Sequence, residues 1–408
     1  MIRVEEHMDA VLNGVQPLSP LEVQLIDAHG CILAEDITAP LDLPPFDNSA
    51  MDGYAVRSED LAGASEPAPV HLPVVGDIPA GSSPAYSVQP GLCVRIMTGA
   101  PVPPGADAVV PVEWTDGGVA SVSIDRPVTP GAYIRRAGED VTTGEVVLAT
   151  GAHLGAAQIG LLAAIGRDRV PVRPRPRVVV LATGSELVEP GTSSLAPGQI
   201  YDSNSFALTL AALEAGALAF RVGIVADDPR ALVDAIDDQL VRADLVLTSG
   251  GVSAGAYDVV KEVLGRVGDV RFTKVAMQPG MPQGFGHIGP DRTPIFTLPG
   301  NPVSAYVSFE VFVRPAIRRM LGVEPLHRPM VRARLLEPFR SSRAKRSYTR
   351  GWLEVADGRY VVRPVGGSGS HLVADLALAN AFIVVPEDVE EVPAGATVSV
   401  MMLERRQA

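Results

Sequence analysis

The chain has 408 residues, of which 47 % are apolar and 20 % charged, with a formal net charge of −13. That length points to two to four domains with real cores, which excludes a disordered chain. The negative balance argues against sequence-independent nucleic-acid binding, and 5 % aromatic residues leave no stacking surface for single strands.

The N-terminal stretch reads as an amphipathic helix over residues 3–13, with Val4, Met8 and Val11 at helical spacing. It carries Glu5, Glu6 and Asp9, whereas a secretory signal has a basic start and an apolar run. No stretch reaches the roughly 18 uninterrupted apolar residues of a membrane span. The cytoplasm is therefore the expected compartment. Residues 22–45 look extended up to Pro44-Pro45. From 46 to about 140, short apolar runs alternate with turns such as Pro79-Ala80-Gly81 and Pro103-Pro104-Gly105, the texture of a compact β domain. Residues 141–170 hold a helix candidate, Gly155 to Ile165. The two cysteines, Cys31 and Cys93, sit in apolar settings and read as packing residues.

Beyond the stiff run Arg173-Pro174-Arg175-Pro176, strand and helix patterns alternate. Arg177–Ala182, Arg221–Val225, Asp244–Thr248 and Ile295–Leu298 read as strands of a doubly wound parallel sheet of about 150 residues. Between and after them come helices over Ser203–Ala215, Arg230–Val241, Asp258–Leu264 and Val303–Leu321. On the first of these Phe206, Leu210 and Leu213 share a face, and Asp228-Pro229 starts the second. Short strands return from 330 onward, giving a last β domain.

In such sheets ligands bind beyond the carboxyl ends of the strands. Three loops fall there: Thr183-Gly184-Ser185-Glu186, Ser249-Gly250-Gly251-Val252-Ser253 running on to Asp258, and Pro299-Gly300-Asn301-Pro302. Their glycines admit close backbone approach, and helix N-termini add positive charge, so together they read as a phosphate cradle. A Gly-rich turn that merely turns is the alternative for any one loop. None is a Walker A motif. Glu186 and Asp258 on these loops would repel phosphates unless a hard cation such as Mg²⁺ lay between them. Helix capping is the alternative for each. The β domain adds Asp47-Asn48-Ser49-Ala50-Met51-Asp52-Gly53, Thr98 before a Gly-Pro turn, and Arg135-Arg136 against Glu139-Asp140. The last run reads equally as a surface ion pair.

Four runs, Asp47-Asn48-Ser49-Ala50-Met51-Asp52-Gly53-Tyr54-Ala55, Met97-Thr98-Gly99-Ala100-Pro101, Thr248-Ser249-Gly250-Gly251-Val252-Ser253 and Leu298-Pro299-Gly300-Asn301-Pro302, resemble in content and order the MoeA-type molybdopterin molybdenumtransferases. The C-terminal domain of gephyrin belongs to the same group. The resemblance covers roughly residues 5–405. It implies an elongated homodimer whose subunits combine a doubly wound, molybdopterin-binding-like α/β domain with small β domains. The implied division is 1–25 with 172–325 as the α/β domain, 26–45 with 141–171 as a linking domain, 46–140 as a β domain and 326–408 as the C-terminal β domain. It also implies Mg²⁺-dependent insertion of molybdate into adenylylated molybdopterin with release of AMP, and the upstream adenylyltransferase as a partner. The active cleft would lie between the α/β domain of one subunit and the β domain of the other. Residue by residue, the implied catalytic set is Asp52, Thr98, Asp140, Glu186, Asp228, Asp258, Lys274 and Arg350, with Glu186 and Asp258 on the metal. The implied substrate-binding set is Gly184, Ser185, Ser249, Gly250, Gly251, Ser253, Pro299, Gly300, Asn301 and Ser370, with His371 beside it. One departure stands out. Where relatives carry a Lys-Pro-Gly-Lys-Pro run, this chain reads Gln278-Pro279-Gly280-Met281-Pro282. A scaffold or cofactor carrier is the competing reading, but it gives no reason to keep the acids together with the glycine loops.

Overall fold

A computed structural model describes residues 1–82, 86–250 and 259–403. The chain divides into a larger unit (Met1–Leu21, Gly30–Ile32, Val172–Ala408) and a smaller one (Glu22–His29, Leu33–Pro171). The first element, helix α1 (Val4–Gly14), belongs to the larger unit and buries Val4, His7 and Val11. Met8 packs against the same core half-buried, as its spacing predicts, and His7 is buried beside it.

The smaller unit is built on strands β1 (Gly53–Val56), β2 (Val70–Ile78), β3 (Cys93–Ile96), β4 (Ala108–Pro111) and β5 (Ser121–Ile124), in the order β4-β1-β3-β2-β5. Tyr54, Val56, Leu72, Cys93, Val110 and Ile124 fill one core, and Ala55, Ile78, Val94, Ile96 and Val109 a second. Because β1 and β4 are buried on both faces, they lack the alternation of a half-exposed strand. Helix α2 (Ala156–Ala164) lies within the expected Gly155–Ile165 span.

The larger unit carries β6 (Arg177–Thr183), β7 (Leu218–Val225), β8 (Leu245–Ser249), β9 (Gly268–Lys274), β10 (Pro282–Ile288) and β11 (Thr293–Leu298). Their order is β7-β6-β8-β11-β10-β9. Strands β7, β6, β8 and β11 run parallel, while β10 is antiparallel to both β11 and β9. The sheet is thus mixed, where an all-parallel one was expected. The β9–β10 hairpin escapes the sequence pattern because Gly284 and Gly286 interrupt its apolar alternation.

Helices α3 (Asn204–Glu214), α4 (Pro229–Leu240) and α5 (Val259–Val267) alternate with these strands. Val178 and Val180 of β6 pack into a core with α1 and α3, and Val179 and Leu181 into another with α4 and α5. Each such side chain stabilises the fold by roughly 1.5–3 kcal/mol, and filling both faces makes the strand read as one unbroken apolar run. On α3 the buried residues are Ser205, Leu208, Ala211 and Ala212, whereas Phe206, Leu210 and Leu213 point outward at 41, 58 and 39 % exposure. The apolar face that periodicity picks out is therefore not the core face.

The expected helix Val303–Leu321 is three segments: α6 (Pro302–Ser308), a π turn (Phe309–Val313) and α7 (Arg314–Leu321). Glu310 on the π turn is buried against Arg328 through bonds of 2.8 and 2.9 Å. Strands β12 (Met330–Leu335), β13 (Arg346–Ala356), β14 (Arg359–Pro364), β15 (Ala381–Val385) and β16 (Thr397–Met402) follow. They pair in the order β13-β14-β12-β16-β15, and β15 returns to β13, which closes a small barrel around Leu335, Leu353, Val362, Ile383 and Val400.

Candidate functional site

At the carboxyl edge of the large sheet, β6, β8 and β11 are neighbours, so their loops emerge side by side. The chain leaves β6 for β7 on one side and then crosses to β8 on the other. The crevice between β6 and β8 is therefore a topological switch point, the usual ligand position of such sheets.

The loops are drawn together there. The Gly250 amide donates to the Leu298 carbonyl (3.0 Å). Gly250 has φ +103°, and an ideal Cβ on it would fall 2.5 Å from the Thr183 carbonyl oxygen, so only glycine fits. Thr183 Oγ1 donates to the Ser249 carbonyl at 3.3 Å. Pro299 is buried, and Gly300 and Asn301 are exposed. Asn301 Nδ2 donates to Ser370 Oγ (2.9 Å), and the Val303 amide to the Ser370 carbonyl (3.0 Å), which ties the barrel's 367–370 loop to this edge. Gly251, Ser253 and Asp258 lie outside the described residues.

The first loop is acidic. Glu186 is exposed, and its carboxylate folds back over Gly184, where an ideal Cβ would fall 2.7 Å from Glu186 Oε2. The Ser185 amide donates to Asp227 Oδ2 at 2.9 Å. Asp228 does not face this loop: its carboxylate accepts the Ala231 amide (2.9 Å) and caps α4. Asp227 is the acid that sequence reasoning passed over. Its neighbour stands directly before a proline at a helix start and drew the attention. Among the described residues no group of three or more His, Cys, Asp or Glu side chains converges to hold a metal. Glu186 and Asp227, exposed at this edge, still have the chemistry to suit a hard cation, which needs only one or two carboxylates when other oxygens complete its shell.

Strand β9 runs parallel to β11, because each is antiparallel to β10, so Lys274 at its end reaches the same edge. Lys274 is exposed and makes no ion pair with a described residue. Gln278 lies in the short strand Met277–Gln278, paired parallel to Arg346–Ser347, and the Met281 carbonyl accepts the Val275 amide (2.8 Å). Gln283 Nε2 pins the connection by donating to the Gly280 carbonyl and Ser308 Oγ, both at 2.6 Å. Arg350 is 4 % exposed, and its guanidinium donates to the carbonyls of Gly367 and Gly369. It holds the Ser370 loop rather than reaching into solvent. His371 is exposed and folds over Gly369.

The smaller unit gathers a different set. The Thr98 amide and hydroxyl both donate to Asp52 Oδ1, at 2.6 and 2.8 Å. These two bonds, amide first, hold the exposed carboxyl below the usual range, with Arg95 assisting. Asp47 accepts the Ala137 amide (2.8 Å) and Arg136 Nη1 (2.6 Å), which likewise lower its pKa. This ion pair is exposed and contributes little stability by itself. It does lash the 43–52 segment to 134–141, as do the pairings Asn48 with Arg135 and Leu43 with Val141. Asp140 sits on the second segment. Its amide donates to the Leu43 carbonyl (2.9 Å), and its exposed carboxylate has no hydrogen bond to a described residue.

Residues 2–166 match the MoeA N-terminal region (domains I and II), residues 179–319 the "Probable molybdopterin binding domain", and residues 332–403 the MoeA C-terminal region (domain IV). The chain belongs to the MoeA family. It is 50 % identical to molybdopterin molybdenumtransferase 2 of Mycobacterium tuberculosis (strain ATCC 25618 / H37Rv) over 406 residues, 98 % of this chain and 99 % of that protein. Identity to molybdopterin molybdenumtransferase 1 of the same strain is 44 % over 427 residues, 99 % of each chain. Among solved structures, the molybdopterin biosynthesis moeA protein from Pyrococcus horikosii aligns with a TM-score of 0.79 and 35 % identity, covering 99 % of this chain and 100 % of that one. Membership in the MoeA family agrees with a doubly wound α/β domain joined to small β domains.

Proposed function

We propose that this MoeA-family chain is a molybdopterin molybdenumtransferase, which inserts molybdate into adenylylated molybdopterin and releases AMP. The observation that carries the reading is the carboxyl edge: three loops on neighbouring strands, bordered by Glu186, Asp227 and Lys274. Full-length likeness to relatives bearing that name supports it.

The edge binds the nucleotide end. Gly184, Ser185 and Gly250 shape the loops so that the phosphates can approach closely, the Gly300 amide donates to them, and Ser249, Asn301 and Ser370 present side chains. Lys274 balances charge that grows on the phosphate as the pyrophosphate link breaks. Arg350 keeps the Ser370 loop in place. Asp52, held ionised by Thr98, orients the attacking oxygen or accepts its proton, with Asp140 beside it in this role. Mg²⁺, held by Glu186 with Asp227 and Asp258, supplies neutralisation of the phosphate oxygens when bound. With that help an acidic chain grips a polyanion, since its distant charges are screened beyond about 8 Å. The loss of two lysines at Gln278 and Met281 leaves Lys274 a larger share of the work.

The acids of the smaller unit serve the partner subunit of a homodimer in this reading. An unsatisfied apolar surface favours dimerisation. Phe206, Leu210 and Leu213 on α3, and Leu218, Phe220 and Val222 on edge strand β7, are all at least 36 % exposed. The enzyme works in the cytoplasm and receives its substrate from the upstream adenylyltransferase. No described helix is long and apolar enough to cross a membrane.

Subunit mixing tests the scheme. Asp52→Ala and Glu186→Ala homodimers each lose AMP release from adenylylated molybdopterin with molybdate and Mg²⁺. After subunit exchange, activity returns to about one quarter of wild type, because about half the dimers are mixed and one of the two sites in each of those is whole. No recovery would end the shared-site arrangement, and no AMP from the wild-type chain would end the functional reading.

A further inference from the structure

Asn204, the first residue of α3, belongs to none of the glycine loops, yet it touches two of them. Its Nδ2 donates to the Gly300 carbonyl at 2.7 Å and to Ser249 Oγ at 2.7 Å. The orientation of the amide is fixed by chemistry: a backbone carbonyl only accepts, so the group facing Gly300 must be the NH₂. Both its hydrogens are then used, one on the end of β8 and one on the loop after β11. The two loops are close at this point, since an ideal Cβ on Gly300 would lie 3.8 Å from the Gly250 Cα.

The second bond also sets the direction of a hydroxyl. Ser249 Oγ accepts from Asn204, so its own proton must go elsewhere, and no described group takes it. Asn204 is itself anchored: the buried Asp202 accepts the Ser205 amide at 3.0 Å, which fixes the start of α3. Arg221 reinforces that start, 3.7 Å from Asp202 and stacked 4.2 Å from the Phe206 ring centre.

We infer that Asn204 is a positioning residue: its single amide clasps the ends of β8 and β11 and turns the Ser249 hydroxyl into a donor for a nucleoside-monophosphate oxygen. The inference rests on the functional reading above for the identity of the ligand. The clasp itself does not depend on it. Asn204→Ala removes both bonds. Asn204→Asp keeps the shape but sets a carboxylate against the Gly300 carbonyl and takes the Ser249 proton for itself, so it is the more damaging change.

Two measurements on the full-length protein decide the matter. Without nucleotide, hydrogen exchange at the Gly250 amide, which donates to the Leu298 carbonyl, accelerates at least tenfold in Asn204→Ala, while exchange in β12 to β16 stays as in wild type. With Mg²⁺, AMP binding by calorimetry weakens about tenfold in Asn204→Ala and further in Asn204→Asp, at an unchanged barrel exchange pattern. A merely structural residue would give equal losses in the two variants. Wild-type exchange at the Gly250 amide in Asn204→Ala would overturn the clasp. Accelerated exchange with no AMP binding by the wild type would keep the clasp and overturn the nucleotide reading. Equal AMP affinity in wild type and both variants would overturn the role given to Ser249.

Discussion

In the larger unit the groups poised to meet a ligand are mostly main chain, delivered by strand ends and held by Thr183, Asn204 and Gly250. In the smaller unit they are carboxylates, Asp52 and Asp140, standing exposed on two strapped segments. The first arrangement cannot be separated from the fold, because the residues that close the sheet edge also shape the crevice beside it. The second is an addition to a finished scaffold: β1 to β5 have their own cores, and the acids lie outside them. Substitutions should therefore cost stability and activity together in the larger unit, and activity alone in the smaller.

The harshest way to probe that contrast is Gly250→Ala. A methyl group would lie 2.5 Å from the Thr183 carbonyl oxygen at a φ of +103°. Strain and clash together should destabilise the larger unit by about 3 kcal/mol or more. Urea unfolding should show it, and AMP release should vanish in parallel. A variant that kept wild-type stability while losing activity would break the coupling of fold and site. Next in size is Asp52→Asn, which keeps the acceptor facing Thr98 but removes the charge. AMP release should fall about 100-fold, close to 2.7 kcal/mol of barrier, with stability changed by no more than about 0.5 kcal/mol. A matching loss of stability would place Asp52 in the scaffold after all.

The same contrast explains what could be read from the sequence. Strands β6 and β8 are buried on both faces, so their composition announces them, and the loops that follow are then placed by the rule for parallel sheets. Asp52 and Thr98 were both candidates, and they meet. What stayed hidden depends on direction rather than residue type. Asp227 and Asp228 are chemically alike, and only the turn of the chain sends one to Ser185 and the other to the α4 amides. Asn204 falls inside the expected helix Ser203–Ala215 and drew no notice, since nothing local reveals that Ser249 and Gly300 converge on it from 45 and 96 residues away. On α3 the apolar periodicity was real, but it marks an exposed face, while Ser205, Leu208, Ala211 and Ala212 turn to the core.

The gentlest probe is Thr98→Val, which removes the hydroxyl bond to Asp52 and leaves the amide bond. The Asp52 carboxyl lies below its usual range because both groups donate to its ionised form. A carboxyl depressed in this way keeps its charge as pH falls, and loses it only on passing through the lowered value. Taking one donor away raises that value, so the acid limb of the pH profile for AMP release must move to higher pH. Turnover near neutrality should change less than about threefold, because the group is ionised there in either protein. Thr98→Ser retains the hydroxyl and should leave the limb where it is. An acid limb unmoved in Thr98→Val would mean that the titration governing the reaction does not belong to Asp52.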